Sequence, residues 1–447
     1  MSAPTIYDSY PEYAKTTVLD ELRTTEYGFL DDQGHVYLDY TGAGLSAKSQ
    51  LQSHAQRLGS NVLGNPHSIN PTSEASTIMV EETRERILAH FNASPKEYAV
   101  VFTPNATGAA RLVGESYQFR RGTRLLMTSD NHNSIHGLRE YAKAAGTRVK
   151  YIHSTSPELR VETATVQKAL NAKMAQEAGF DVLLDAAAYL PTGTLNLAEV
   201  KPQFVMMSWY KLLGYPTGVG CLIVRRDAMA RLRRPWFSGG TIQAVSVGMQ
   251  WHKMAPDEAA FEDGTLNFLS IPDVKVGLDW VDGIGMSVID TRVRCLTGHF
   301  IQRLKQLKHK DGSPMIILYG PDNLSSRGGT VCFNFIDSTG RIVDERLVAL
   351  ESAAAGISLR TGCFCNPGAG EDAFRLRRKN LLRLLWSKTT SIDEYVTLIG
   401  LPSAGAIRVS FGVASVVADL DKFFEFAEAT YRDRETNTDG LAPRDRC

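Results

Sequence analysis

Short apolar, β-rich runs alternate with helical segments between residues 98 and 225, and this alternation restricts the folds open to the chain. The runs are YAVVFT (98–103), RLLMTS (124–129), RVKYIH (148–153), DVLLDA (181–186), FVMMSW (204–209) and VGCLIV (219–224). Strands that alternate with helices predict an α/β fold with a mainly parallel sheet covered on both faces. Such sheets bind ligands beyond the carboxyl ends of their strands, so functional residues are expected directly after these runs.

The pattern changes after about residue 285, where strand-like MIILYG, GTVCFNFI, GISLRTG and AIRVSFG are separated by helical segments. This part of the chain predicts a smaller α+β domain. We expect a large domain over residues 30–285 and a small domain over 1–29 and 286–435. The polar residues 436–447 are predicted to be a disordered tail.

Composition excludes several classes of protein. Of the 447 residues, 49 are Lys or Arg and 49 are Asp or Glu, so no basic surface for nucleic acid or membrane is indicated. No apolar run approaches the ~18 residues of a membrane span, and no secretory signal is visible at the start. Six cysteines are too few for a disulfide scaffold, which favours a reduced, cytoplasmic location. We expect no metal site.

A single lysine, Lys211, lies in SWYKLLGYPTGVG between the apolar runs FVMM and CLIV. Lysine side chains are usually solvated, and this one could extend from a strand end to water. A buried lysine, in contrast, loses its preference for the charged form and becomes a nucleophilic amine that can form a Schiff base.

Three further features follow strands in the same region. Asp185 ends the run DVLL, where a carboxylate is either paired or at the mouth of a ligand site. PNATGAARL (104–112) opens a helix, either as a phosphate site or as a plain N-cap by Asn105 or Thr107. His132 lies in the loop SDNHNSIHG, where it is either solvated or stacked on a flat ring. A carboxylate suits the ring nitrogen of pyridoxal phosphate.

The order of these features is the pattern of pyridoxal-phosphate enzymes of the aspartate-aminotransferase fold, fold type I. The chain resembles the amino-terminal, cysteine-desulfurase-like domain of molybdenum cofactor sulfurases, in the class V aminotransferase superfamily. The resemblance extends from about Val36 to Ser415. The matching stretches are GNPHS, NHNS, LLDAAAY, SWYKLLGYPTG, FSGGT, FEDGTLNFL, RTGCFCNPGA and RVSFG.

The resemblance implies a role for each matching residue. Lys211 would hold pyridoxal phosphate covalently, Asp185 would bind its ring nitrogen and His132 would stack on the ring. Arg408 would bind the substrate carboxylate, and Thr265 would reach the phosphate of a neighbouring subunit in a homodimer. The groups implied to hold the phosphate are the side chains of Thr107, Ser208 and Tyr210 and the backbone of Ala106 and Gly108.

The motif RTGCFCNPGAG contains two cysteines in a glycine-rich loop. A metal site, two inert core cysteines and a mobile reactive thiol are the alternatives, and the loop setting favours the thiol. The resemblance places Cys365 at the nucleophile, which would take sulfur from L-cysteine as a persulfide and release L-alanine. Cys363 would be a helper, a redox partner or the nucleophile itself. The final sulfur acceptor is unknown.

The chain departs from the family pattern in three respects. It ends soon after the first domain, without the carboxy-terminal domain of these sulfurases. Tyr40 and Gly370 replace a histidine and a cysteine. Near residues 170–172, roughly 20 residues that would form an interior strand are missing. Either the sheet closes up, or another segment fills the gap, or the sequence comes from a faulty gene model.

These departures leave three hypotheses about function. The first is a cysteine desulfurase that supplies sulfur. The second is a pyridoxal-phosphate C–S lyase or transferase of specialised metabolism that acts on another amino acid. The third is an inactive scaffold that keeps the fold, which the missing strand favours.

Overall fold

A computed structural model describes residues 5–66, 68–170, 179–376, 378–388 and 391–444. The strands are β1 (Val36–Tyr37), β2 (Tyr98–Thr103), β3 (Arg124–Thr128), β4 (Arg148–Ile152), β5 (Leu183–Asp185), β6 (Phe204–Ser208), β7 (Gly220–Arg225), β8 (Ile242–Ser246), β9 (Trp251–Met254), β10 (Ile316–Tyr319), β11 (Thr330–Phe335), β12 (Ile357–Ser358), β13 (Arg360–Gly362) and β14 (Ala406–Ser410).

Helices precede, separate and follow these strands. They are α1 (Ile6–Ser9), α2 (Val18–Glu26), α3 (Phe29–Asp32), α4 (Lys48–Ser60), α5 (Pro71–His90), α6 (Ala106–Ser116), α7 (Asn133–His136), α8 (Leu138–Ala144), α9 (Thr163–Leu170), α10 (Trp209–Leu213), α11 (Arg226–Met229), α12 (Pro272–Ile284), α13 (Met286–Gln306), α14 (Glu345–Ala354), α15 (Pro367–Ala373), α16 (Arg378–Leu381), α17 (Ile392–Ile399) and α18 (Val417–Tyr431).

The central sheet has the strand order β2-β7-β6-β5. β5 and β6 are parallel, whereas β7 runs antiparallel to both β2 and β6. All five residues of β6 are buried, because helices cover both faces of this part of the sheet. The carboxyl ends of β5 and β6 therefore lie at one edge, where Asp185 and Ser208 end their strands.

The six strands predicted over residues 98–225 form two separate sheets. β3 and β4 pair with each other in parallel, but they do not join the central sheet. In the described part of the chain, no strand lies between β4 and β5. Residues 171–178, where most of the predicted gap falls, lie outside the described residues. Among the described residues, β3 does not pair with the central sheet and β5 is its last strand, with three residues that are only partly buried.

A second sheet, here called the carboxy-terminal sheet, has the order β10-β11-β14-β13 and is antiparallel throughout. Its register aligns Arg360, Arg408, Cys332 and Tyr319 as successive cross-strand partners. Directly opposed residues project from the same face, so these four side chains form one row across the sheet. β1 pairs with β12, which ties the residues before Asp39 to this part of the chain.

The amino-terminal residues pack against the carboxy-terminal half. Arg23 donates to Asp419 at 3.3 Å and to Asp31 at 2.8 Å, and the fully buried Arg292 donates to Tyr13 at 2.8 Å. Because these guanidinium groups are buried with hydrogen-bond acceptors, they fix residues 5–32 against α13 and α18.

Residues 436–444 of the predicted tail make contacts with the folded chain. Thr436 is buried, and its N–H donates to Asp337 at 3.2 Å. Arg444 forms ion pairs with Asp344 at 2.8 Å and with Glu345 at 2.6 Å. The composition of this segment is polar, but its charges meet a matching acidic cluster that only the folded chain assembles.

None of the described helices combines the length and the apolar character that crossing a membrane requires.

Candidate active site

Lys211 lies on the short helix α10, directly after β6. Trp209 and Leu213, one turn apart on this helix, are buried, and Lys211 projects from the opposite side of the helix. Burial lowers the pKa of Lys211, the carboxylate of Asp185 opposes this shift, and the positive charges of Arg408 and Arg360 add to it. The lysine is thus biased towards the neutral amine.

The chain holds α10 closely against the segment that follows Tyr40. Gly44 donates its N–H to the carbonyl of Tyr210 at 3.0 Å. Gly214 ends the helix with φ 74°, and a Cβ atom there would lie 2.1 Å from the carbonyl carbon of Leu45. Only glycine fits this position, both because φ is positive and because the two backbones touch.

Asp185 and His132 lie close to Lys211. The negative charge of Asp185 acts on both Lys211 and His132 and partly opposes the lowering of their pKa by burial. His132 caps α7, and its Nδ1 accepts the N–H of Ser134 at 3.1 Å. Burial, reinforced by the charge of Lys211, lowers the pKa of His132. The charges of Lys211 and Asp185 both act on His132, so the three residues lie within electrostatic reach of one another, and their roles towards a cofactor stay predictions.

The loop after β2 brings hydroxyl groups together at the start of α6. The Oγ1 of Thr107 lies 2.8 Å from the Oγ of Ser134. The Oγ of Ser208 accepts the N–H of Ala106 at 2.8 Å. These contacts place Thr107 and Ser208 together at one helix N-terminus, which is a suitable phosphate site. Sequence reasoning missed Ser134, although its position two residues after His132 in NHNS was a visible signal.

Two predicted phosphate donors already have partners within the chain. The N–H of Ala106 is bonded to Ser208, and the N–H of Gly108 donates to Oδ1 of Asn105 at 2.9 Å. The N-cap role considered for Asn105 is thus the observed one. A phosphate contact from either backbone group would require these hydrogen bonds to be exchanged.

Arg408 belongs to a chain of charges that the sequence did not predict. Its Nη2 donates to Oδ1 of Asp39 at 2.8 Å, and Nη2 of Arg360 donates to Oδ2 of the same carboxylate at 2.7 Å. The Nε of Arg408 is buried and has no hydrogen-bond partner among the described residues. A buried donor without a partner indicates a polar ligand, as expected for a site that binds a substrate carboxylate.

The loop with the two cysteines lies against the loop of His132. The carbonyl of Cys365 accepts the N–H of Asn133 at 2.8 Å. Phe364 and Cys365 have φ of 56° and 55°, a region that costs energy for residues other than glycine. Cys365 is exposed and free. The combination of strained backbone and an exposed thiol is typical of functional loops.

Cys363 differs from Cys365 in its chemical state. It is disulfide-bonded, whereas Cys221, Cys295, Cys332 and Cys365 are free. Cys447 lies outside the described residues. The disulfide departs from the expectation that the thiols are reduced, and it leaves Cys365 as the free thiol of the RTGCFCN motif.

The positions of Tyr210 and Thr265 do not test the phosphate contacts predicted for them. Burial raises the pKa of Tyr210, and the charged groups that act on it are Arg360, Asp39 and Cys365. This places Tyr210 near the arginines, and its contact with phosphate stays a prediction. Thr265 is exposed, and its Oγ1 accepts a hydrogen bond from Asn65 at 3.4 Å. Its reach to a partner subunit also stays a prediction. Among the described residues, no cluster of His, Cys, Asp or Glu suits a metal ion.

A buried ion pair stabilises the end of β2. Glu262, in the FEDGT motif, accepts the N–H of Phe102 at 2.7 Å and pairs with Arg84 at 2.9 Å. Both charged side chains are buried. The pair therefore connects α5, β2 before the predicted phosphate loop, and the loop that carries Thr265.

Replacing Arg84 with methionine is expected to lower the free energy of unfolding by about 3–5 kcal/mol, because Glu262 would remain buried without its partner. The double variant Arg84→Met/Glu262→Met should lose less free energy of unfolding than the single variant Arg84→Met. Arg86→Met is the matched control on the same helix, since Asp279 and Asp282 are its partly exposed partners; it should cost about 1 kcal/mol or less. Denaturant unfolding measures all three. Equal losses for Arg84→Met and Arg86→Met would contradict this role.

Comparison with known proteins identifies the family. The model of the family "Aminotransferase class-V" matches residues 36–175 and 162–423. The chain belongs to the class-V aminotransferase family. This assignment agrees with the order of the phosphate loop, His132, Asp185 and Lys211 along the sequence.

The chain is similar to curated molybdenum cofactor sulfurases. It is 34% identical to that of Solanum lycopersicum over 98% of this chain and 60% of the relative, and 32% identical to that of Arabidopsis thaliana over 95% and 59%. It thus spans about 60% of the length of these class-V relatives. The first alignment covers 496 positions, more than the 447 residues of this chain, so the relative has residues that this chain lacks.

Solved structures share the fold. An apo cysteine desulfurase from Thermococcus onnurineus NA1 matches with a TM-score of 0.75 and 21% identity, covering 92% of this chain and 98% of that chain. A cysteine desulfurase from Escherichia coli matches with a TM-score of 0.68 and 15% identity, covering the same shares. The predicted α/β class, of the aspartate-aminotransferase type, is therefore confirmed.

Proposed function

We propose that this class-V protein is a cysteine desulfurase-like enzyme that moves sulfur from L-cysteine to Cys365 and releases L-alanine. The observation that carries the proposal is the meeting of a buried lysine of lowered pKa, Asp185 and a neutral His132 with a free, exposed thiol. The similarity to molybdenum cofactor sulfurases supports it, because those relatives are named for sulfur transfer.

The residues present fit pyridoxal phosphate. Lys211 is biased towards the neutral amine that a Schiff base needs, and Asp185 can hold a protonated ring nitrogen. Thr107 and Ser208 supply hydroxyl groups at the N-terminus of α6, where a phosphate is favoured. When bound, the cofactor supplies an electrophilic carbonyl and a ring that accepts electrons.

Side chains of this protein would handle the substrate. Arg408, oriented by Asp39, holds the carboxylate of L-cysteine, with its unpartnered Nε available as a second donor. Lys211 takes the proton from Cα and returns a proton to the carbon skeleton. The Cys365 thiolate forms a bond to the substrate sulfur while the carbon–sulfur bond breaks. The products are alanine and a Cys365 persulfide, so every atom of cysteine is accounted for.

The decisive experiment incubates the purified protein with pyridoxal phosphate and L-cysteine, and quantifies both alanine and protein-bound sulfur. Equal amounts of alanine and persulfide in a single turnover are expected. Pyruvate in place of alanine would contradict the proposal and indicate a lyase. A cysteine conjugate as a second substrate would distinguish the transferase alternative.

The separation of β3 and β4 from the central sheet favours a second candidate function, that of an inactive scaffold. No strand in the described part of the chain pairs with the outer edge of β5, so the position of Asp185 has less support than a central strand would give. Cofactor binding separates the two candidates: a scaffold would not turn yellow with pyridoxal phosphate, whereas the proposed enzyme would.

The proposed location is the cytoplasm.

The lowered pKa of Lys211 predicts the pH dependence of cofactor attachment. Only the neutral amine attacks, so the attachment rate should reach its plateau at a lower pH than for an ordinary lysine. Arg360 contributes to the lowering, so Arg360→Gln should raise the pKa and move the curve to higher pH. Stopped-flow absorbance with the apoprotein measures this, and Arg432→Gln, on an exposed ion pair, is the control. A shift to lower pH in Arg360→Gln would contradict the assignment.

The homodimer is proposed from Thr265 and from exposed apolar residues. Val247, Met249 and Trp251 of the β8–β9 hairpin are 90%, 80% and 52% exposed, which is typical of an interface. Thr265→Ala should weaken cofactor binding about 10- to 100-fold, the worth of a hydrogen bond to a charged phosphate. Thr397→Ala, exposed on α17, is the control. Sedimentation should show a dimer; a monomer that binds the cofactor tightly would contradict the shared site.

A further inference from the structure

Phe364, the residue between the two cysteines of the RTGCFCN motif, contacts the arginine proposed to bind the substrate. The guanidinium carbon of Arg408 lies over the ring of Phe364, 5.0 Å from the ring centroid. A cation at this distance is attracted by the face of an aromatic ring. Phe364 is half-buried, whereas the neighbouring Cys365 is exposed. A single ring contact therefore joins the proposed carboxylate-binding group to the residue next to the proposed nucleophile.

Arg408 uses its edge and its face for different contacts. Nη2 at the edge donates to Asp39 at 2.8 Å, and the buried Nε has no hydrogen-bond partner among the described residues. The ring of Phe364 covers the face. Since guanidinium groups form hydrogen bonds in their plane and stack through their faces, a carboxylate can bind at Nε without displacing the ring. The carboxylate and the ring therefore act on each other through charge.

The group around Asp39 has an excess of positive charge. Arg408 and Arg360 both donate to this one carboxylate, so one of the two positive charges is not compensated within the group. The attraction between Arg408 and the ring of Phe364 depends on that charge. A substrate carboxylate on Arg408 would compensate it, and the attraction to the ring would then be weaker.

The segment 363–366, here called the Cys365 loop, has a strained backbone. Phe364 and Cys365 have φ of 56° and 55°, which persists in residues other than glycine only where surrounding contacts maintain it. Two hydrogen bonds do so from the loop of His132: the carbonyl of Cys365 accepts the N–H of Asn133 at 2.8 Å, and Nδ2 of Asn366 donates to the carbonyl of Asp130 at 2.9 Å. The ring contact with Arg408 is the third restraint. Weakening it favours a relaxed loop.

We propose that Phe364 is a positioning residue that holds the Cys365 loop on Arg408 until a substrate carboxylate binds to this arginine and releases the loop. The inference rests on the proposed desulfurase function. Release with substrate in place makes the thiol mobile when a sulfur atom is present for it to attack. Because coupling between two binding events is reciprocal, the ring contact and the carboxylate weaken each other to the same extent.

Alkylation of Cys365 measures the release of the loop. The holoenzyme is treated with iodoacetamide without reductant, in the presence and absence of L-alanine as a carboxylate probe that has no thiol, and peptide mass spectrometry quantifies the modified Cys365. L-Alanine should accelerate alkylation about 2- to 10-fold in the parent, the worth of a cation–π contact. Phe364→Leu should react rapidly without L-alanine and gain little from it, whereas Phe364→Tyr, which keeps a ring, should respond like the parent. Protection of Cys365 by L-alanine, or equal acceleration in Phe364→Leu and the parent, would overturn the proposal.

The affinity for L-alanine provides a second test, because a merely structural role of the ring would not strengthen binding. Phe364→Leu should bind L-alanine about 2- to 10-fold more tightly than the parent, as measured from the visible spectrum of the holoenzyme. Phe374→Leu is the matched control: this ring follows α15 in the same segment and packs on Tyr319, with ring centroids 6.0 Å apart. It should keep the parent affinity and the parent alkylation response. Weaker binding in Phe364→Leu would show that the ring supports Arg408, which contradicts the proposal.

Single-turnover alanine formation from L-cysteine separates this inference from the function on which it rests. A parent protein that forms no alanine refutes the desulfurase function and, with it, the release of a thiol for sulfur transfer. A parent that forms alanine, but whose alkylation response to L-alanine is unchanged in Phe364→Leu, refutes the role of Phe364 alone.

Discussion

Replacing Lys211 with alanine is expected to abolish covalent attachment of pyridoxal phosphate and to reduce alanine formation about a thousand-fold or more. The side chain would provide both the amine that holds the cofactor and the base that moves the Cα proton. Its lowered pKa, caused chiefly by burial, makes it suited to both roles. Borohydride reduction followed by peptide mass spectrometry should find the cofactor on Lys211 in the parent and nowhere in the variant.

The control for Lys211 is Lys143→Ala, on the exposed face of α8. This variant should keep the parent spectrum and rate. If Lys211→Ala retained a cofactor that borohydride fixes to the same peptide, the assignment of the lysine would be wrong. Because the substitution removes a partly desolvated amine, the melting temperature should not fall, and a loss of function could not be attributed to unfolding.

Replacing Cys365 with alanine should leave L-cysteine binding intact and reduce alanine formation at least about a hundred-fold. Binding depends on Lys211, Asp185 and Arg408, which this variant retains. Breaking the carbon–sulfur bond by this route needs a thiolate that accepts the sulfur. Visible spectra with L-cysteine report binding, and single-turnover alanine reports chemistry, so the two effects are measured separately.

Cys363→Ala is the matched comparison, two residues away on the same loop. Cys363 is disulfide-bonded, so both variants should be assayed before and after reduction. We expect Cys363→Ala to retain most of the parent rate. If Cys363→Ala were inactive and Cys365→Ala active, the nucleophile would be Cys363. Parent rates in both variants would exclude a protein persulfide and favour the C–S lyase.

Local sequence patterns were enough to predict the candidate site residues that follow strands. Lys211, Asp185, His132 and Thr107 each come directly after an apolar run, and a parallel arrangement brings such positions to one edge. The structure places the first three within electrostatic reach of one another. Their order along the chain was therefore sufficient to predict that they meet.

The Asp39 bridge could not be predicted in this way. It joins Arg360 and Arg408, which are more than three hundred residues from Asp39 along the chain. The same holds for the partners of Arg444, and for Ser208, which accepts the N–H of Ala106 from a position 102 residues away along the chain. Such contacts depend on where distant backbone segments pack, and no local pattern of residues encodes them.

Periodicity and residues close together in the chain were enough to predict the alternation of strands and helices, the family and the candidate lysine. The sequence also indicated that a strand was missing. The consequence is visible only in the folded chain, where, among the described residues, β3 and β5 do not pair and the central sheet ends at β5. The folded chain also shows that Arg360 and Arg408 share the carboxylate of Asp39. The physical reason is that strand pairing and the burial of charge depend on neighbours supplied by the whole fold.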